Sequence, residues 1–247
     1  MTLKGKTAIV TGGGRDIGLA CVMKLAEEGA NVAINYFASS EGADKAVEAI
    51  RAAGGNAFAL QGDLMKQADA EALVAKTVAE FGDIHILVNN SGGLVGRQTV
   101  AEMSLEHYDT VMDLNFKSVF LMVKACSGHL KEGAIINMAS QAGHDGGGPG
   151  ATIYGASKGA LQSFTRGLAK ELAPNIRVNA INPGMIDTDF HNVFSKPEGR
   201  KNVANATPLK REGRPEEVAD LVVYLASEKS SFINGANIDI NGGLAFS

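Results

Sequence analysis

Short runs of apolar, often β-branched residues alternate with longer helically periodic segments along this 247-residue chain. The short runs are apolar at consecutive positions. Such strands are covered on both faces, as in a parallel sheet with helices on either side. Strands are expected at Thr7–Thr11, Val32–Asn35, Ala57–Gln61, Ile84–Asn89, Ala134–Met138, Arg177–Ile181 and Asn237–Ile240. Between them the periodicity predicts helices over Ile17–Glu28, Glu41–Ala53, Ala68–Phe81, Leu105–Leu130, Ile153–Leu172 and Pro215–Ala226. Gly29, Gly54-Gly55 and Gly82 stop the first three, and Pro215 opens the last where a missing N–H costs nothing. The chain reads as one α/β domain over residues 1–247, a doubly wound parallel sheet of about seven strands with helices on both faces and right-handed crossovers.

A domain of this length buries roughly 70–75% of its unfolded surface and needs neither disulfide nor metal to fold. The formal net charge is −4 and no basic tract stands out, which argues against nucleic acid as a partner. Cys21 and Cys126 lie far apart in helical segments, outside any metal or redox motif, and read as buried thiols of a reducing compartment. The N-terminal Met-Thr-Leu-Lys-Gly-Lys leads straight into a strand, and no apolar run is long enough to span a membrane. The expectation is a soluble, cytoplasmic protein without a membrane partner.

Thr11-Gly12-Gly13-Gly14-Arg15-Asp16-Ile17-Gly18 joins the first strand to the first helix. Glycines there allow a tight turn and close backbone approach to phosphate, and a helix N-terminus adds free N–H groups and partial positive charge. A lone glycine-rich turn is weak evidence, but its place after the first strand of an α/β sheet favours dinucleotide binding. Gly62-Asp63-Leu64, Asn89-Asn90-Ser91-Gly92 and Asn182-Pro183-Gly184 also fall just past strand carboxyl ends, the edge where open sheets bind ligands. Any one of these is ordinary turn chemistry, whereas all of them at one edge is not.

Tyr154 and Lys158 are spaced i, i+4, which puts them on one helix face. A free tyrosine has a pKa near 10, too high for a base at neutral pH. An ammonium about 5 Å away contributes roughly 3 kcal/mol at an effective dielectric near 20, worth about two pKa units toward phenolate. The pair therefore makes sense as a tuned acid/base. Alone, a Tyr-x-x-x-Lys spacing is more often an amphipathic helix pair. Here Ser140 follows the fifth strand at the same edge, and Asn115 sits in the neighbouring long helix.

Taken jointly, Thr11-Gly12-x-x-x-x-Ile17-Gly18, Asn89-Asn90-Ser91-Gly92, Asn115, Ser140, Tyr154-x-x-x-Lys158, Asn182-Pro183-Gly184 with Thr188, and Ile240-Asn241-Gly242-Gly243 resemble the short-chain dehydrogenase/reductase family over essentially the whole length. The likeness is to its 3-oxoacyl-reductase-like branch. It implies a Rossmann-type domain, a nicotinamide cofactor and a small carbonyl or alcohol substrate, with no metal. By this resemblance Tyr154 handles the proton, Ser140 holds the substrate oxygen, Lys158 also binds the nicotinamide ribose, and Asn115 helps hold a water that links Lys158 to solvent. The implied cofactor contacts are Gly12, Gly14, Arg15, Asp16, Ile17 and Gly18, then Tyr36 and Ser39. Further along they are Asp63 at the adenine, Leu64, Asn90, Ser91 and Gly92, with Asn89 lining the channel. Tyr154, Lys158, Pro183, Gly184, Ile186 and Thr188 complete the set, Thr188 at the carboxamide end.

One departure matters. The family usually has glycine where this chain has Asp16, which brings negative charge toward a pyrophosphate. The expectation is that Asp16 turns away and caps its own helix, with Arg15 compensating. The second strand ends Asn35-Tyr36-Phe37, without the acidic residue that favours NAD, and Arg15, Ser39 and Ser40 suit a 2′-phosphate. NADP(H) is favoured, with NAD(H) the alternative. The Ser140-to-Tyr154 interval looks long for the family, with Gly146-Gly147-Gly148 as the segment that absorbs the excess.

Residues 185–209 lack strong periodicity and resemble the family's mobile substrate lid. Gln141, His144, Met185, His191 and Phe194 are candidate pocket residues. The helices Leu105–Leu130 and Ile153–Leu172 carry apolar residues on more than one face, which by resemblance implies a homotetramer. Set against an NADPH-dependent ketone or 3-oxoacyl reductase stand an NAD-dependent sugar, polyol or alcohol dehydrogenase and a non-catalytic dinucleotide-binding relative. A methyltransferase on a similar sheet would leave Tyr154, Lys158 and Asn182-Pro183-Gly184 without a role.

Overall fold

The computed structural model describes residues 1–195 and 197–246. Its strands are β1 (Thr7–Val10), β2 (Asn31–Tyr36), β3 (Ala57–Gln61), β4 (Ile84–Asn89), β5 (Leu130–Met138), β6 (Ile176–Pro183) and β7 (Asn237–Ile240). They form one sheet in the order β3-β2-β1-β4-β5-β6-β7, parallel throughout. From β1 the chain winds outward through β2 to β3, then returns to the other side of β1 with β4. The two halves therefore diverge at β1/β4, where a crevice opens beyond the strand ends.

Residues that alternate along each strand feed two separate cores. Ala8, Val10, Val32, Ile34, Ile86, Val88 and Ile136 pack on one face, against α1 (Asp16–Glu27), α2 (Ser40–Ala52) and, toward β5, α10 (Pro215–Ala226). Ile9, Ala33, Leu87, Ile135 and Val178 pack on the other, against α3 (Gln67–Phe81), α5 (Ser118–Cys126) and α7 (Thr152–Glu171). Each large aliphatic side chain so buried stabilises the fold by about 1.5–3 kcal/mol. This two-sided covering explains why the strands read as continuous apolar runs. Cys21 and Cys126 are free and buried, and burial pushes both thiols up to about 12. No helix among the described residues is long and apolar enough to cross a membrane.

Two expectations need correction. The predicted helix Leu105–Leu130 is three pieces: α4 (Leu105–Met112), a wide π turn at Asp113–Lys117, and α5, which ends at Cys126. Leu130, apolar and in phase with the helix, instead opens β5 and pairs beside Ile84. Between Leu130 and Ala134 the ladder is irregular, and Gly133 (φ +140°) lies so close to β4 that a Cβ would meet His85 O at 1.9 Å. Second, residues 185–209 hold α8 (Asp189–Phe194) and α9 (Pro197–Ala206), apart from Lys196, which lies outside the described residues. The Arg200 guanidinium binds Asp187, Asn192 and Glu212 together and so folds a segment whose own periodicity is weak.

Between Ser140 and Tyr154 the extra length forms a short helix, α6 (Ala142–Asp145), and a glycine turn. Gly146 (φ +80°) and Gly147 (φ +72°) take left-handed backbone that few other residues adopt, and Gly147 N–H donates to Asp145 Oδ1 at 2.8 Å. The turn packs on α7 at Gly155, where a Cβ would meet Gly146 O at 2.7 Å.

Candidate active site

A cavity of about 610 Å³ occupies the β1/β4 crevice. Its floor is the turn after β1. Thr11 Oγ1 accepts the N–H groups of Asn90 and Ser91, both at 2.9 Å, so one hydroxyl ties together the turns leaving β1 and β4. Asn90 Nδ2 returns bonds to Thr11 O (3.0 Å) and Gly12 O (3.1 Å). Gly12 is left-handed (φ +62°), and a Cβ on Gly18 would sit 2.2 Å from Gly12 O, so α1 can start this close only as glycine. Asn35 at the end of β2 is spent inside the fold, accepting from Gly12 N–H and donating to Gly62 O. The end of β2 and the residues after it contribute no acidic side chain to the cavity, which Phe37 and Ser39 border there.

Asp16 lines the cavity, but it does not cap its own helix as expected. It lies at φ +52° and its Oδ1 accepts the N–H of Asp189 at 2.9 Å, the first residue of α8. Arg15 Nε stands 3.8 Å from Asp16 Oδ2, a loose, largely exposed pair. The amide that meets its short side chain is that of α8, not one of α1. A left-handed non-glycine residue costs about 1–3 kcal/mol, which this capping bond offsets in part.

On the opposite wall stand Ser140, Tyr154 and Lys158. β5 delivers Ser140, whose Oγ accepts from Ala142 N–H at 3.1 Å and shares a hydrogen bond with the Tyr154 hydroxyl. Lys158 is 3% exposed, its Nζ donating to Met138 O at 2.8 Å and lying 5.8 Å from the Tyr154 ring centre. Burial lowers the Lys158 ammonium to about 8. Burial likewise raises the Tyr154 phenol, and the bond from Ser140 only partly opposes this. The expectation is that Lys158 draws Tyr154 down toward phenolate; in the protein alone burial is the largest influence on both groups and disfavours both charged forms.

Asn115 lies in the π turn and does not reach the cavity wall. Its Oδ1 accepts Gly93 N–H (3.0 Å), and its Nδ2 donates to Gly93 O (2.8 Å) and Val111 O (2.9 Å). Its side-chain amide is thus spent on protein, clamping the loop after β4 beneath Lys158. A Cβ on Gly92 would meet Asn115 Oδ1 at 2.7 Å and Lys158 Nζ at 3.1 Å, so glycine is needed there.

Of the other predicted positions, Gly12, Arg15, Ile17, Gly18, Ser39, Asn90, Ser91, Gly92, Pro183, Gly184, Ile186 and Thr188 line the cavity. Gly14, Tyr36, Asp63 and Leu64 do not. Gly14 packs on Ser39, Tyr36 packs against the core, Leu64 is buried, and Asp63 accepts Met65 N–H with Lys66 at 3.6 Å. Asn89, expected along the channel, is 1% exposed and points into the sheet interior, where it starts a chain from Asn89 Nδ2 to Asn137 to Thr165. Strand alternation turns it away from the edge that Asn90 faces. Among pocket candidates His191 lines the cavity, whereas Gln141 and His144 are held behind it by Asp145 and Asn182, and Met185 lines a separate small hollow. Phe194 stands behind Phe190, a residue the sequence reading missed, whose ring centre lies 6.3 Å from that of Tyr154.

The sequence model of the family described as Enoyl-(Acyl carrier protein) reductase matches residues 12–245. The chain is 37% identical to the 3-oxoacyl-(acyl-carrier-protein) reductase of Staphylococcus aureus, over 97% of this chain and 98% of that protein. Two solved structures superpose closely. A short-chain dehydrogenase/reductase from Serratia marcescens does so at TM-score 0.94 and 35% identity, over 100% of both chains. A short-chain dehydrogenase from Burkholderia cenocepacia, solved in complex with NADP, does so at 0.93 and 33%, over 99% of both.

Two predictions follow from the geometry. Replacing Asp16 by Ala removes the acceptor from the Asp189 amide, whose hydrogen exchange should speed up about tenfold, roughly one hydrogen bond's worth. Asn retains an acceptor and tolerates left-handed backbone, so Asp16→Asn should keep the protection; equal exchange in all three proteins would show that the bond does not hold α8. For Lys158, the folded state carries the full cost of the buried ammonium below about pH 8. As pH rises from about 8 toward the unfolded value of 10.5 the folded protein sheds that proton first, and stability rises. Lys158→Met should therefore melt about 5 °C higher than the parent at pH 7, with the gap closing by pH 10. A lower melting temperature at pH 7 would mean the bond to Met138 O outweighs the desolvation.

Proposed function

The chain belongs to the short-chain dehydrogenase/reductase family, and from that premise we propose that it is an NADPH-dependent reductase of a small ketone or 3-oxoacyl compound. The observation that carries this reading is the convergence of Ser140, Tyr154 and Lys158 on the same cavity as the glycine turn after β1.

The residues fit a dinucleotide. Gly12 and Gly18 keep the turn free of side chains, α1 presents its N-terminus to the cavity, and Gly92 leaves the Lys158 ammonium uncovered. Arg15 and Ser39, with no carboxylate at the end of β2, favour a 2′-phosphate over a free ribose hydroxyl, in keeping with the NADP held by the Burkholderia relative. Bound NADPH supplies the hydride. Tyr154 gives its hydroxyl proton to the substrate oxygen, and its raised pKa keeps that proton in place at neutral pH, the state a reductase needs. Ser140 shares the Tyr154 hydroxyl and offers the substrate oxygen a second hydrogen bond. Lys158, protonated below about pH 8, stabilises the phenolate left behind. Asn115 acts by position, holding Gly93 and hence the loop that carries Ser91 and Gly92.

The proposed assembly is a homotetramer of cytoplasmic protein, built through the helices α4, α5 and α7. Leu105, Tyr108 and Phe120 leave apolar surface exposed on the first two. Phe120→Glu should shift the sedimentation coefficient from tetramer to a smaller species; an unshifted tetramer would place the contact elsewhere.

Calorimetric titration should show NADPH binding at least tenfold more tightly than NADH. Tyr154→Phe should retain NADPH binding within about threefold while carbonyl reduction falls 10²- to 10⁴-fold, the usual worth of a positioned proton donor. A preference for NADH would remove the Arg15 argument, and undiminished turnover in Tyr154→Phe would remove Tyr154 from the chemistry.

A further inference from the structure

The wall across from the glycine turn carries a charge that the reaction above does not use. Arg97 lies in the loop that follows β4, fixed against the entrance to α7. Gln98 N–H donates to Gly150 O at 3.1 Å and Arg97 Nη1 donates to Pro149 O at 2.9 Å. The two loops meet this closely because Gly150 is left-handed (φ +74°) and has no Cβ, which would stand 3.0 Å from Arg97 Cβ. Thr152 then begins the helix of Tyr154. Main-chain bonds thus hold Arg97 in place relative to the catalytic tyrosine.

Arg97 lines the cavity together with Gly148, Ala151, Phe190 and His191. It is exposed and makes no ion pair among the described residues, and bracing Pro149 uses only one of its five N–H donors. The only carboxylate among the described residues of the cavity wall is Asp16, already engaged with the Asp189 amide. His191 does not add a second charge. Its pKa is lowered chiefly by burial and then by the charges of Arg200 and Arg97, with Glu212 and Asp16 opposing. At neutral pH this side of the cavity therefore presents, besides the buried Lys158 ammonium that the reaction uses, one guanidinium, a planar fork that matches an oxyanion.

We infer that Arg97 recognises an anionic group on the substrate, so that the molecule reduced is an oxo compound whose oxyanion pairs with Arg97 while its carbonyl faces Tyr154. The oxyanion is the carboxylate of an oxo acid or the phosphate of a longer carrier-linked oxo thioester. This inference rests on the carbonyl-reductase reading above and narrows its substrate class.

The test compares matched pairs. One arm uses the oxo acids from 3-oxobutanoate to 5-oxohexanoate, each against its methyl ester. The other uses 3-oxobutanoyl coenzyme A against the uncharged N-acetylcysteamine thioester. In at least one arm the charged member should be preferred in kcat/KM. Its preference should fall roughly 10- to 100-fold in Arg97→Gln and return in part in Arg97→Lys. The arm that responds identifies carboxylate or phosphate. A charged-to-neutral ratio that Arg97→Gln leaves unchanged in both arms overturns the inference. A binding measurement separates this from failure of the reductase reading. In calorimetry of the NADP⁺-loaded protein, butanoate and inorganic phosphate should each be compared with butanamide. At least one anion should bind more tightly, with the excess lost in Arg97→Gln, whether or not any oxo compound is turned over. Equal binding of all probes, or an excess that survives in Arg97→Gln, overturns it.

Discussion

A parallel sheet buried on both faces leaves its polar chemistry almost nowhere to go except the ends of its strands. Here the strand interiors are filled from both sides, and a side chain such as Asn89 or Asn137 is tolerated only because it finds a partner inside the sheet. The free donors and acceptors that can serve a ligand gather where strands stop, and the winding of the chain opens those ends apart at β1/β4. Fold and site are thus one consequence. The covering that stabilises the sheet also concentrates the turns tied by Thr11 and Asn90, together with Ser140 and Pro183, along a single edge.

Within that edge, stability and chemistry pull against each other. Lys158 would be cheaper as an apolar residue. The burial that makes its charge costly also holds Tyr154 in its protonated form. The glycines show the same tension in steric terms. Gly18 and Gly92 stand where any side chain would collide with a backbone carbonyl, an amide or the ammonium, so these positions hold space open rather than contribute contacts.

Much of this was legible in the sequence because its causes are local. Consecutive apolar residues marked the strands, glycine and proline marked the helix ends, and strand-end motifs marked the edge. What was not legible depends on distant partners. The π turn at Asp113–Lys117 barely disturbs helical periodicity, and Leu130 fits the helix phase as well as the strand it joins. The helices α8 and α9 depend on Arg200 gathering Asp187, Asn192 and Glu212. Asn89 and Asn90 look interchangeable as letters, yet pleating sends one inward and the other to the cavity. Asp16 was recognisable as unusual, but its acceptor role is set by an amide 173 residues away. Arg97 sits in an aperiodic loop with no local signature at all.

The bond between Asp16 and Asp189 joins the floor of the crevice to the helix that roofs it. In proteins where such parts are separate, a loop can swing over a site without disturbing the turn beneath. Here the floor residue and the roof helix share a hydrogen bond, so whatever reshapes one is felt by the other. By thermodynamic linkage such an influence is mutual: whatever favours one arrangement of the turn favours the matching arrangement of α8 by the same free energy. A glycine at this position would have left the turn and α8 without that bond.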